Sequence, residues 1–158
     1  MSVTIREARE SDHEALGPLF AAGDALHAGI RPEFFRAAPG LPRGRRYITD
    51  ALSRPDEQLL VAEVGGELVG VVHVKVFDTP PSPLHVMRRR GHVQDLVVAE
   101  EHRRRGIGRA LMERAASWCR EQGARQLLLT VWEGNRAAEA FYASLGYRPV
   151  SRVLGLDL

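Results

Sequence analysis

Cysteine is almost absent from this chain: Cys119 is the only one in 158 residues. No disulfide framework can form within one chain, and the ordinary role of such a residue is a small buried hydrophobe. Lysine is as scarce. Of 22 basic residues only Lys75 is lysine and the rest are arginine, and 20 acidic residues leave a net charge of +2. That balance is too small to point to nucleic acid. No stretch approaches the ~18 uninterrupted apolar residues of a membrane span. The opening Ser2-Val3-Thr4-Ile5-Arg6 lacks the apolar run of a secretory signal. The histidines, His13, His27, His73, His85, His92 and His102, show no paired ligand spacing, so no metal site is expected. No Gly-x-Ser-x-Gly or Gly-Lys-Ser/Thr occurs. With 44% apolar and 27% charged residues, the composition reads as one soluble domain, residues 1–158, in the cytoplasm.

The patterning alternates between helix and strand. Thr4-Ile5-Arg6 reads as a short first strand. Ser11 and Glu14 fit a capping box, followed by Leu16, Leu19 and Phe20 at helical spacing, with Gly23 as the stop. The stretch 24–44, with Pro32, Pro39 and Pro42, reads as a short helix and an irregular loop, and a further short helix fits 45–53. Residues 58–64 and 67–77 are β-branched runs around Gly65-Gly66, a hairpin. The proline-rich 79–83 is a loop and 92–98 a third strong strand. Ile107, Leu111, Ala115 and Trp118 then form a helical stripe ending near Gly123. A strand at 126–131, a helix at 135–145 and a last strand at 147–154 complete the chain. The order predicts an α/β fold with one mixed sheet.

The informative stretch lies between the third strong strand and the long helix, Arg103-Arg104-Arg105-Gly106-Ile107-Gly108-Arg109. The first amides of a helix have no internal partner and sit at the positive end of the peptide dipoles. Gly106 and Gly108 lack the Cβ that would hold a large anion off the backbone, and the arginines add bidentate donors. These features suit a phosphate or pyrophosphate. The dinucleotide fingerprint would need a third glycine at position 111, which is Leu111. The other arginine run, Arg88 to Arg90, reads as solvated surface.

Arg103-Arg104-Arg105-Gly106-Ile107-Gly108 resembles the Gln/Arg-x-x-Gly-x-Gly/Ala motif of the GNAT family of N-acetyltransferases. Upstream, Val93-Gln94-Asp95-Leu96-Val97-Val98 is similar to the family's fourth strand. Downstream, Asn135 to Tyr147 is similar to its Asn-x-x-Ala-x-x-x-Tyr-x-x-x-Gly-Phe/Tyr signature. The resemblance covers about residues 58–150. It implies a mostly antiparallel central sheet, flanked by helices, whose fourth and fifth strands splay apart. It implies acetyl-coenzyme A as acyl donor. The pyrophosphate would lie on the amides of Arg103, Arg104, Arg105, Gly106, Ile107, Gly108 and Arg109, the pantetheine arm along Leu96, Val97 and Val98, and Asn135 and Tyr142 would face the cofactor.

The same resemblance implies that the acceptor is a primary amine of a small molecule, peptide or protein, that the Val98 amide serves the oxyanion, and that Tyr142 is the acid for the departing thiolate. Spacing alone puts Ala138, Phe141, Tyr142 and Leu145 on one apolar stripe, where Tyr142 is simply core. Relatives often carry a glutamate where this chain has Gln94 or Thr130, and neither residue takes a proton at neutral pH. His92, Asp95 and His73 remain as bases, beside a water relay. Alternation puts His92 on the face of Gln94 and Asp95 on the other, and His92 has the intrinsic pKa for the task. A cofactor-binding regulatory module with weak turnover stays open as the alternative. Residues 20–55 and the loop 78–90 are candidates for substrate contacts, and the loop equally for a homodimer interface, as many relatives are homodimers.

Overall fold

A computed structural model describes residues 2–36, 38–40 and 43–158. Among them five strands, β1 (Val3–Glu7), β2 (Glu57–Val64), β3 (Glu67–Asp78), β4 (Arg89–Val98) and β5 (Leu127–Leu128), form one sheet in the order β1-β2-β3-β4-β5. All neighbours are antiparallel except β4 and β5, which run parallel. Four helices flank it: α1 (His13–Ile30), α2 (Arg45–Leu52), α3 (Ile107–Glu121) and α4 (Arg136–Ser144). None of the helices is long and apolar enough to cross a membrane.

The sheet separates two apolar layers. Leu16, Leu19 and Phe20 of α1 and Ile48 and Ala51 of α2 pack on Leu59, Val61, Val71 and Val97. On the other face Ile107, Leu111, Met112, Ala115, Trp118 and Cys119 of α3 pack on Leu60, Val72, Val74, Val76 and Val93. Because β2 and β3 are sandwiched, Leu59 to Ala62 and Val69 to Val74 are buried consecutively and not in alternation. Cys119 belongs to this core. Burial pushes its thiol up to about 11, which removes it as a nucleophile at neutral pH.

Several local expectations are corrected. The turn before α1 is closed by Asp12 and not by Ser11: its carboxylate accepts from the Arg9 amide at 2.7 Å and from the Arg6 guanidinium at 2.8 Å. The helix does not stop at Gly23 but runs to Ile30, absorbing the short helix expected beyond Asp24. Gly23 is there for packing, since a Cβ on it would lie 2.9 Å from Cγ2 of Val97. Its role is to let α1 approach β4. Pro42 lies outside the described residues. Two residues of β5 pair where a strand of 126–131 was expected, and 147–154 forms no strand.

The packing role of Gly23 is tested by a sign change. Gly23→Ala should destabilise the chain by about 1 kcal/mol through overpacking. In a Val97→Ala background the same substitution should stabilise it by about 0.5–1 kcal/mol, because only the helix-propensity gain remains. Urea unfolding of the four variants measures both.

Candidate active site

The strand-to-helix turn is held in an unusual backbone geometry. Arg104 adopts φ of 63° and Gly106 φ of 82°, so two left-handed residues fold the chain back between β4 and α3. A non-glycine residue there costs free energy and persists only where its surroundings hold it. The Arg103 side chain pins the turn by donating from Nε to the Val98 carbonyl at 3.0 Å. Gly106 supplies no side-chain cap to α3, and the first helical bond is Ala110 N–H to the Gly106 carbonyl at 3.0 Å. The amides of Ile107, Gly108 and Arg109 therefore start the helix without a side-chain acceptor, beside exposed Arg104, Arg105 and Arg109 and with no carboxylate in that first turn.

The two glycines of the turn differ. A Cβ on Gly106 would meet nothing within 4 Å, so its conformation is what requires glycine. A Cβ on Gly108 would meet the Phe141 ring at 3.2 Å, so this glycine lets α4 close onto α3.

Beside the turn the sheet opens. β4 and β5 share only the pairs Gly91–Leu127 and His92–Leu128 and then separate. From there to Val98, the edge of β4 that faces β5 has no strand partner among the described residues, and Leu96, Val97 and Val98 border the opening. From α4, Tyr142 packs edge-on against Phe141 and Tyr147, with ring centres 5.1 and 5.6 Å away. Burial, then Tyr147, then the charge of Asp95 push its hydroxyl up to about 12. Asn135 does something more local: its Oδ1 accepts from the Ala138 amide at 3.2 Å and caps α4.

On the α1–α2 face of the sheet, at this opening, lies a cavity of about 550 Å³ whose lining includes Asp24, Tyr47, Glu57, His73, Lys75, His92, Asp95, Thr130 and Trp132. A bulge in β4 shapes it. Val93 pairs with Val74 and Asp95 with His73, leaving Gln94 as an extra residue. The slip turns Asp95 onto the face of His92, which corrects the assignment made from simple alternation. His92 sits opposite Lys75. Burial and then the charge of Lys75 hold its imidazole below the ordinary value, and its Nδ1 is buried without a partner.

Behind these residues runs a polar chain that sequence reasoning missed. Arg43 spans Asp24 and Asp95, the latter at 2.6 Å, and lies 4.6 Å from the centre of the Phe20 ring. Tyr47 Oη and Nδ1 of His73 are 2.9 Å apart, as are Nε2 of His73 and Glu57. Arg54 donates to the same Glu57 at 2.8 Å. Burial alone would raise the Glu57 pKa, but the bonds from Arg54 and His73 outweigh it and hold the carboxyl below its usual range. With Glu57 ionised, His73 donates to it from Nε2, and the Tyr47 hydroxyl also lies 3.5 Å from Oδ2 of Asp95, to which it can donate. Among the described residues no group of three or more His, Cys, Asp or Glu is placed to hold a metal.

An acetyltransferase (GNAT) family model matches residues 24–147 of this chain. The chain belongs to the GNAT family. This GNAT protein is 29% identical over 92% of its length to an uncharacterised N-acetyltransferase, YhfO, of Bacillus subtilis, covering 89% of that protein. It is 35% identical over 66% of its length to an uncharacterised N-acetyltransferase of Archaeoglobus fulgidus, covering 69% of it. The crystal structure of a mutant of the BH1408 protein from Bacillus halodurans superposes with a TM-score of 0.93 at 27% identity, over 98% of this chain and 99% of that one. The mixed sheet with one parallel pair is the GNAT fold, and the chain is an acyltransferase.

The Glu57 carboxylate is stabilised in the folded state, so its contribution is complete above about pH 4.5, its unfolded value, and is lost as pH falls through the lower folded value. Stability measured by urea unfolding should drop across that acid range, and Glu57→Gln should flatten part of the drop.

Proposed function

We propose that this enzyme transfers an acetyl group from acetyl-coenzyme A to a primary amine of a small molecule, peptide or protein. The observation that carries the reading is the alignment of three features along one edge of β4. An uncapped, arginine-rich helix start lies at one end, an unpaired strand edge in the middle, and a carboxylate- and histidine-lined cavity at the other. The first suits a pyrophosphate, the second an extended amide-bearing arm that pairs like an added strand, and the third a cationic amine.

On this reading the amides of Ile107, Gly108 and Arg109 hold the phosphates, with Arg103 keeping the turn in shape and Arg104, Arg105 and Arg109 adding charge. Leu96, Val97 and Val98 offer backbone groups to the pantetheine arm, and the Val98 amide receives the oxyanion. Asn135 orders the start of α4, which presents Tyr142. Tyr142 keeps its proton at neutral pH and so has one to donate to the departing thiolate, although burial pushes the hydroxyl up to about 12 and makes it a weaker acid than an ordinary tyrosine. His92 fits the base: it is neutral at neutral pH and its unpartnered Nδ1 can accept a proton. Asp95, held by Arg43, draws the ammonium toward His92.

Calorimetric titration with acetyl-coenzyme A, coenzyme A and NADH tests the first half of the reading. Micromolar binding of the two coenzyme A species alone is expected, and silence with all three would remove the turn as a cofactor site. Tyr142→Phe should cut transfer about 10²-fold or more while leaving coenzyme A affinity near its original value. Equal loss of both would make Tyr142 a packing residue.

If His92 is the base, transfer should rise with pH through a limb that lies below the ordinary histidine value of 6.5. His92→Gln should erase that limb in the pH profile of kcat, and a limb that survives the substitution assigns the proton to another group.

A further inference from the structure

The cavity beside β4 carries its charge unevenly. At one end Asp24 and Asp95 share a single cation, Arg43, which reaches both. Two carboxylates against one guanidinium leave a negative charge without a counterpart in the lining. At the other end stands Lys75, which the sheet register places between Glu57 of β2 and His92 of β4. Glu57 is the obvious counter-ion, yet both of its oxygens are engaged elsewhere. Oε1 accepts from Arg54 at 2.8 Å and Oε2 from Nε2 of His73 at 2.9 Å.

Among the described residues no carboxylate pairs with the Lys75 ammonium. His92, its other neighbour, is held neutral at neutral pH, and its buried Nδ1 has no partner. The remaining charges of the lining are matched, Arg54 by Glu57 and Asp50 by Arg46. A partly buried ammonium without an anion is an unfavourable arrangement, and an anion that enters beside it removes the cost. The cavity is thus short of a cation at the Asp95 end and of an anion at the Lys75 end.

We propose that the acceptor is a zwitterion, a primary amine that also carries an anionic group, and that Lys75 is the residue that selects it by binding the anion. The inference rests on the acetyl-transfer reading and narrows it to one class of acceptor. The ammonium end lies at Asp24 and Asp95 and the anion at Lys75. His73 stands opposite Asp95, and Lys75 follows two residues later on β3, so the two ends are about 7 Å apart along the sheet. That is too long for the amine and carboxylate of one α-amino acid, and it is about the length of a dipeptide. The amine of such a molecule meets the acyl donor while its far end stays at Lys75.

Kinetics with glycylglycine, glycylglycinamide and glycylaminomethylphosphonate test this, since the three differ only in the charged end. Either anion should exceed the amide in kcat/KM by about 10-fold or more, and the better of the two names the anion. Lys75→Met should erase that ratio by raising KM for the anionic acceptors, and Lys75→Arg should restore most of it. The amide is the control for the altered charge beside His92, which all three acceptors meet alike. Equal use of the amide and the anions by the native chain overturns the proposal and leaves acetyl transfer standing. So does a ratio that Lys75→Met does not change. Calorimetry with coenzyme A in place of the acetyl donor separates the two readings. Dipeptide binding that Lys75→Met weakens about 10-fold, with no transfer to any amine, keeps the anion site and removes the acetyltransferase reading. No dipeptide binding at millimolar concentration overturns the anion site.

Discussion

The bulge at Gln94 fixes the geometry on which the cavity face depends, because a strand presents alternate residues to alternate sides and a single extra residue reverses that choice. Up to Val93 the register of β4 on β3 is regular, with Val93 facing α3. Beyond the bulge Leu96 and Val98 face α3, while Asp95 and Val97 face α1 and α2. His92 and Asp95 thus end up on one side, over the cavity, although regular alternation would send them to opposite faces. Without the bulge Asp95 would point into the α3 layer. There Arg43 could not reach it, and its charge would sit among Leu111, Met112 and Ala115.

A second constraint acts from below the turn. Gly23 and Gly108 each remove a methyl group at a place where a helix meets its neighbour, α1 on Val97 and α4 on α3. Both contacts bear on the end of β4. The opening between β4 and β5 is therefore held by close packing on two sides, while the charged turn is held by the Arg103 bond to Val98 and by left-handed backbone at Arg104 and Gly106. Packing and backbone strain set the shape, and the exposed guanidiniums are left free to act on what enters.

What could be read from the sequence follows from how local the signals are. The hairpin at Gly65-Gly66, the stripe from Ile107 to Trp118 and the strand-turn-helix around Gly106 each depend on neighbours a few residues away, and each lies where the pattern put it. Gly23 misled because a glycine that serves a contact far along the chain, at Val97, looks the same in sequence as one that ends a helix. The reach of β5 misled for a similar reason: a run of leucines cannot say where its partner diverges. The bulge left no composition signal at all. The chain from Arg43 through Asp95, with Tyr47, His73 and Glu57 beside it, joins residues drawn from a loop, a helix and three strands. Only the register of the sheet brings them together.

The positive charge around the start of α3 is carried by Arg103, Arg104, Arg105 and Arg109 without one lysine. A guanidinium stays protonated throughout the range in which proteins function and has no lone pair to offer an electrophile, whereas an ammonium in equilibrium with its free amine does. An activated acyl group held against this turn, as proposed, would meet no side-chain amine there. On the proposed reading, charge suited to anchoring would in this way be chemically inert toward the cargo, and Lys75, which lines the cavity, is the one side-chain amine this chain itself contributes.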